Sequence, residues 1–158
     1  MDATIVADDL CKSYKEVAAI KDISLKIDKG EIFGLIGPDG AGKTTLFRIL
    51  TTLSLADSGT ASVCGLDVVK DYVRIRSEIG YMPGHFSLYQ DLSVEENLQF
   101  YASIFGMDTK SSYDNIKEIY CQLEPFRKRR AGALSGGMKQ KLALCCALVH
   151  KPKVLFLD

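Results

Sequence analysis

The residues Gly37-Pro38-Asp39-Gly40-Ala41-Gly42-Lys43-Thr44 fit the pattern G-x-x-x-x-G-K-[ST], set between a short apolar run and a helical one. Each residue type has a chemical task there. Glycines at 37, 40 and 42 permit φ > 0 and let the backbone come close to phosphate oxygens. Consecutive N–H groups then point inward as an anion nest, and the following helix adds the partial positive charge of its N-terminus. Lys43 offers a charge to β- and γ-phosphates, and the Thr44 hydroxyl suits Mg2+. The implied ligand is a nucleoside triphosphate, with adenine and guanine not distinguished by the loop.

A second glycine-rich helix start lies far downstream, in Leu134-Ser135-Gly136-Gly137-Met138-Lys139-Gln140. Ser135 suits an N-cap, and bare backbone at Gly136 and Gly137 would let N–H groups meet an anion. An N-cap followed by two flexible glycines is the equally simple structural account.

These two stretches need elements to position them. Ile23, Leu25 and Ile27 alternate with polar residues, the period of a half-buried strand. Lys29-Gly30 reads as a turn and Glu31 to Ile36 as a short apolar strand leading into the glycine loop. A helix is expected from Lys43 to about Leu50, with strands around Thr60 to Cys64 and from Ile79 to Met82. Ser93 and Glu96 form a capping-box pair ahead of Val94, Leu98, Tyr101 and Phe105 on one helical face. Ile116, Ile119, Tyr120 and Leu123 repeat the helical period. Ser135 to Leu148 is apolar on most sides, which predicts a deeply buried helix, and Val154 to Leu157 makes a strand ending in Asp158. The order predicts an α/β core with an antiparallel lobe and a helical insertion.

Composition narrows the classes. The 158 residues carry 20 Lys and Arg against 20 Asp and Glu, and 47% of them are hydrophobic, which suits one folded domain and excludes a disordered chain. A zero charge balance argues against a protein that coats nucleic acid. The densest apolar run, Leu142 to Val149, is eight residues, far short of a bilayer span. The acidic start MDATIVADDL lacks the pattern of a signal peptide, and the five cysteines show no C-x-x-C pair and no metal-ligand spacing with His85 or His150. A soluble chain with reduced thiols is expected, with Cys145 and Cys146 acting as small buried hydrophobes. A buried parallel strand that ends the chain at Asp158 predicts a truncated piece of a longer domain.

GPDGAGKTT, LSGGMKQKL and KVLFLD, in that order, resemble the Walker A, signature and Walker B motifs of ATP-binding cassette (ABC) proteins, and the match covers essentially the whole chain. It resembles in particular the ATPase subunits of bacterial ABC-2-type exporters. The resemblance implies an α/β P-loop NTPase cassette with an antiparallel β lobe, a parallel-sheet core and a helical subdomain, its C-terminal part missing. Residues 1–158 would be one partial ATP-binding domain: β lobe and loop core over about 1–84, helical subdomain over about 85–138, signature helix and Walker B strand over about 135–158. The implied cofactors are ATP and Mg2+. ATP would be held by Gly37, Pro38, Asp39, Gly40, Ala41, Gly42, Lys43, Thr44 and Thr45. Tyr14 matches the aromatic that stacks on adenine, although a half-buried tyrosine at a strand end needs no such role. Thr44 and Asp158 would serve the metal, Asp158 having the alternative of a solvated last residue.

By the same resemblance two cassettes pair head to tail, so Ser135, Gly136 and Gly137 would serve the ATP bound by a second ABC cassette. The other implied partner is a transmembrane permease subunit, met by the segment from His85 to Phe105, and no nucleic acid is expected. The implied location is cytoplasmic, peripheral on the inner face of the cell membrane.

Three departures shape the expected activity. The general-base glutamate after Asp158 and the switch histidine are absent, so no residue is assigned a catalytic role, and the chain is expected to bind ATP with little hydrolysis. Gly84 stands where the family's Q-loop glutamine usually is, with Gln90 six residues on. Asp39 replaces the commoner Asn and is expected to point outward. Arg127-Lys128-Arg129-Arg130 reads as a solvated loop, and His150 as a surface residue at a helix end. The expected whole is the ATP-binding subunit of an exporter; the alternative is a non-transport or regulatory ABC ATPase.

Overall fold

The computed structural model describes residues 3–158; Met1 and Asp2, which open the acidic start, lie outside the described residues. Strand β1 (Ala3–Tyr14) and strand β2 (Val17–Asp28) form an antiparallel hairpin across Lys15 and Glu16. Strand β3 (Ser58–Val63) pairs antiparallel with the other edge of β1, setting Ile5 opposite Val63 and Ala7 opposite Ala61. Strand β4 (Leu66–Asp67) completes the order β2-β1-β3-β4. The long hairpin is not regular. Register shifts fall between Ala7 and Leu10 and between Leu10 and Lys12; Asp9 (φ 47°) takes left-handed backbone at the first and Asp22 (φ 49°), on β2, at the second, as β-bulges do. Leu10 thereby joins Ile5 and Ala7 in the core despite the odd spacing.

Helix α1 (Lys43–Leu50) lies against β2 and β3 and buries Leu46, Ile49 and Leu50, each burial contributing roughly 2 kcal/mol. Helix α2 (Tyr72–Glu78) buries only Ile75 and is tied by Arg76, whose Nε donates to Thr52 Oγ1 (2.8 Å) and whose Nη2 donates to the Thr52 carbonyl (2.9 Å). These elements make a first compact unit, residues up to Ile79 together with Asp158; residues 80–157 make a second.

In the second unit, which takes in all of strand β5 (Ile79–Met82) except its first residue, β5 and strand β6 (Val154–Leu157) form a two-stranded parallel sheet. Helices α3 (Val94–Ile104), α4 (Thr109–Tyr120) and α5 (Gly136–Leu148) enclose a core centred on Val94, Ile116, Leu123, Leu142, Cys145 and Val149. Short 3-10 turns at Glu124–Phe126 and Ala131–Ala133 connect them. The capping box at α3 closes both ways: Glu96 N donates to Ser93 Oγ (3.2 Å) and Ser93 N to Glu96 Oε2 (2.7 Å). The Ser93 N–H, followed by the Ser93 hydroxyl, holds the Glu96 carboxyl below the usual carboxylate range. Asn97, fully buried, ties the preceding loop by accepting from Tyr89 N and donating to the carbonyls of Tyr89, Leu92 and Ser93.

Several expectations are met closely. Helix α1, β5 and β6 have the anticipated bounds, and Val94, Ile116, Tyr120 and Leu123 are buried. The thiols of Cys145 and Cys146 are buried in the core; burial pushes the Cys145 thiol up to about 12 and the Cys146 thiol well up. Other expectations need correction. Helix α5 is deeply buried only in its second half, from Leu142 on, while Gly136, Gly137, Gln140 and Lys141 are exposed. His150 is half-buried and stacks on Phe105, ring centroids 3.7 Å apart and planes 9° from parallel, so it is not a plain surface residue.

The largest correction concerns Glu31 to Ile36, which forms no strand, with Ile32 and Ile36 fully exposed (101% and 100%). Among the described residues no strand pairs with this segment. Without a ladder or a facing apolar surface, nothing offsets the entropy of ordering it.

Candidate functional site

Residues 37–44 form a tight loop closed by a hydrogen bond from Ala41 N to the Pro38 carbonyl (3.2 Å). Gly40 (φ 80°) and Gly42 (φ 87°) take left-handed backbone, as their type allows. Gly42 is doubly constrained: it is the N-cap of α1, and a Cβ there would lie 2.2 Å from the Ala19 carbonyl oxygen and 2.6 Å from Ile20 Cγ2. Gly37 differs from expectation. Its φ is not left-handed, and an added Cβ would meet only Ala41 Cβ at 3.4 Å, so its contribution is its backbone carbonyl and not a special conformation.

That carbonyl has a partner. Lys43 Nζ donates to the carbonyls of Gly37 and Pro38, both at 2.7 Å, which curls the side chain back over its own loop. One residue on, Thr44 Oγ1 donates to Asp158 Oδ1 at 2.8 Å, bringing together two oxygen groups 114 positions apart in the chain. Thr45 is half-buried in the first turn of α1, and Asp39 is exposed at the loop's tip, as expected.

A hydroxyl beside a carboxylate is a donor set of the kind Mg2+ accepts, since that ion prefers oxygen ligands and keeps several waters. An ammonium against two neutral carbonyls beside bare N–H groups suits a polyanion. The residues present therefore fit both implied groups.

Tyr14 ends β1 and is half exposed, with Lys12 Nζ 5.7 Å from its ring centroid. The end of that strand is pinned by Asp57, whose carboxylate accepts from Lys12 Nζ (2.6 Å) and Ser13 N (2.7 Å). The Lys12 hydrogen bond, followed by that from Ser13 N, holds the Asp57 carboxyl below its ordinary value.

In the second unit Ser135 is the N-cap of α5 (φ −64°, ψ 162°), its Oγ accepting from Met138 N at 3.4 Å. Gly136 and Gly137 are exposed, and a Cβ at either would meet no heavy atom within 4 Å. Their backbone is bare, as the sequence suggested. Gly84 lies in an exposed bend, and the Gln90 carbonyl accepts from Gly132 N (2.9 Å).

The basic run Arg127 to Arg130 is exposed in its side chains, but its backbone has a structural task. The carbonyls of Arg129 and Arg127 accept from Val94 N and Glu95 N, both at 3.0 Å, satisfying the first donors of α3. Sequence reasoning also missed the wall that Ala19 and Ile20 set against Gly42. No local signal marks it, because the contact comes from the register of β2.

A glycine loop of this geometry opening a helix, beside an antiparallel lobe and with a parallel sheet in the same chain, defines a protein of the P-loop class. The ABC transporter family profile matches residues 20–158, and the chain belongs to that family. It is 46% identical over 162 aligned residues to the probable multidrug ABC transporter ATP-binding protein YbhF of Escherichia coli, covering 99% of this chain and 28% of that protein. It is 35% identical to the doxorubicin resistance ATP-binding protein DrrA of Mycobacterium tuberculosis, over 99% of this chain and 49% of that protein. The chain thus spans between about a quarter and a half of these relatives' length. Among solved structures, an ATP-binding subunit of an ABC transporter superposes with a TM-score of 0.89 at 27% identity, over 98% of this chain and 65% of the other. A dimeric bacterial ABC transporter cassette gives 0.85 at 25% identity, over 98% and 73%. No helix among the described residues is long and apolar enough to cross a membrane.

Proposed function

We propose that this chain is the ATP-binding part of an ABC-type membrane exporter, coupling ATP binding and hydrolysis to transport through a transmembrane permease subunit. The carrying observation is the loop itself: Lys43 held at its mouth by two carbonyls, followed by Thr44 in hydrogen bond with Asp158. The names of the relatives, multidrug and doxorubicin resistance proteins, support export as the direction.

In this reading Gly37 to Thr45 hold the ATP polyphosphate and Tyr14 stacks on adenine. Lys43 exchanges its carbonyl acceptors for phosphate oxygens, gaining charge-assisted bonds. Thr44 and Asp158 hold Mg2+, whose positive charge offsets that of the phosphates. Ser135, Gly136 and Gly137 complete the site of a second cassette paired head to tail, which accounts for their bare, exposed backbone. The assembly works on the inner face of the cell membrane.

The test is thermal unfolding with and without Mg-ATP, beside Lys43→Ala. At a hundredfold excess over its dissociation constant, a ligand specific to the folded chain adds about 2.7 kcal/mol. A raised Tm in the parent chain, lost in the variant, is the expected result. An unchanged Tm in a cooperatively unfolding parent chain contradicts the assignment of the loop.

A further inference from the structure

Strand β1 loses its neighbour on one side before it ends. Its last register partner on β3 is Ser58, opposite Cys11, while Ser13 and Tyr14 pair with Ala18 and Val17 of β2. Beyond them lies a two-residue hairpin tip, and a hairpin held from one edge is marginal by itself. Asp57, the residue before β3, supplies the missing edge. Its N–H donates to the Cys11 carbonyl (2.9 Å), its Oδ1 accepts from Lys12 Nζ (2.6 Å) and its Oδ2 accepts from Ser13 N (2.7 Å). One residue thus grips three successive positions of the strand, and the next is Tyr14.

The grip reaches the Tyr14 ring through Lys12. The ammonium lies over that ring, 5.7 Å from its centroid, within the range of cation–π attraction. A lysine head in water samples many rotamers, whereas this one is fixed by a carboxylate. The ring is therefore steadied by a cation whose own place Asp57 sets. At 46% exposure it keeps area for a second planar group.

Asp57 also stands close behind the helix that carries the phosphate loop. Helix α1 opens at Lys43, and the turn after it is fastened by Leu53 N and Ser54 N, which both donate to the Arg48 carbonyl. Asp57 follows three residues later, so a short, tied path joins the phosphate loop to the end of β1. The side chains of Lys12 and Asp57 are 17% and 47% exposed, and an ion pair this open to solvent adds little to stability. Holding two parts of one site in place is a use that its geometry does serve.

We propose that Asp57 is a positioning residue for the nucleotide base, clamping Lys12 and Ser13 so that the Tyr14 ring stands ready to stack on adenine. The proposal rests on the reading that this chain binds ATP with Tyr14 against the base. A side chain ordered beforehand need not be ordered on binding, so the clamp acts on the base and leaves the phosphates alone.

The experiment titrates the full chain calorimetrically with Mg-ATP and with Mg-tripolyphosphate, which has the phosphates and no base. The quantity read is the ratio of the two dissociation constants. Tyr14→Ala should cut the advantage of ATP about tenfold, the order expected for one base stacked on one aromatic ring. Asp57→Ala should cut it about threefold with tripolyphosphate affinity unchanged, the order expected for one side chain that must be immobilised on binding. Added to Tyr14→Ala, the same substitution should cost nothing more. Asp57→Asn keeps an acceptor for Ser13 N and makes the same comparison if the alanine chain does not fold. An ATP advantage unchanged in the folded Asp57 variants overturns the proposal. So does equal weakening of both ligands, or a loss that persists in full without the Tyr14 ring. A parent chain that binds neither ligand refutes the phosphate-loop reading itself. One that binds both but ignores Tyr14→Ala refutes the stacking role of Tyr14; in either case the role of Asp57 falls with it.

Discussion

Two helices in this chain begin with glycine and a polar side chain, and they are built on opposite plans. The start of α1 is over-determined: its N-cap Gly42 is left-handed, has no side-chain cap, and is hemmed by the Ala19 carbonyl, while Lys43 folds onto the loop's own oxygens. The start of α5 is relaxed: Ser135 caps it in ordinary extended backbone, and Gly136 and Gly137 face open space. One site is shaped from within by left-handed backbone, which glycine adopts freely, and by close contact. The other offers exposed N–H groups and no shape of its own, which suits a site finished by another molecule. Glycine is required in the first by conformation, whereas the backbone at Gly136 and Gly137 makes no such demand.

Substitutions at these glycines break or sharpen the contrast most directly. Gly42→Ala should destabilise the chain by about 3 kcal/mol in denaturant unfolding, combining left-handed strain with the clash on the Ala19 carbonyl. Gly137→Ala should do the reverse and stabilise by about 0.5–1 kcal/mol, since a Cβ there meets nothing within 4 Å and alanine lowers the entropy of the unfolded chain. A destabilised Gly137→Ala chain would erase the distinction. Ser135→Ala should cost only about 0.5 kcal/mol, the low end for a cap, because its bond to Met138 N is long at 3.4 Å.

The start of α3 supplies the finest comparison, since both halves of its capping box are closed. Because folding lowers the Glu96 pKa, its contribution is fully present above the unfolded value and is lost as pH falls through the folded one. Acid unfolding below about pH 4.3 should therefore lose a component in the parent chain that Glu96→Gln lacks. An identical acid profile for both chains would show that the carboxylate adds nothing beyond what the amide supplies.

What could be read beforehand follows from how local each signal is. The loop at 37–44, the helix behind it and the capping box are written in runs of four to eight residues, and each was found where expected. Strand β1 went unread because its left-handed residue Asp9 and the register shifts around it interrupt the alternation that marks a strand. Helix α2 buries one residue and so shows almost no period. Glu31 to Ile36 has the composition of a strand, but a strand is a property of a pair, and composition does not reveal whether a partner is within reach. The same holds for the site. The order of the motifs suggested that Thr44 and Asp158 serve one metal, while their 2.8 Å contact is a fact of three dimensions. The stacking of Phe105 on His150 likewise has no local sequence signal.

The resting posture of Lys43 has a further consequence. A lysine free in solvent must be caught and held before it can grip an anion, and that immobilisation weakens binding. Here the side chain is already parked on the Gly37 and Pro38 carbonyls, so its freedom is surrendered when the chain folds. Under the proposed function, an arriving polyphosphate meets a cation already in position and need only displace two neutral oxygens. The loop is thus closer to a loaded clasp than to an open hand.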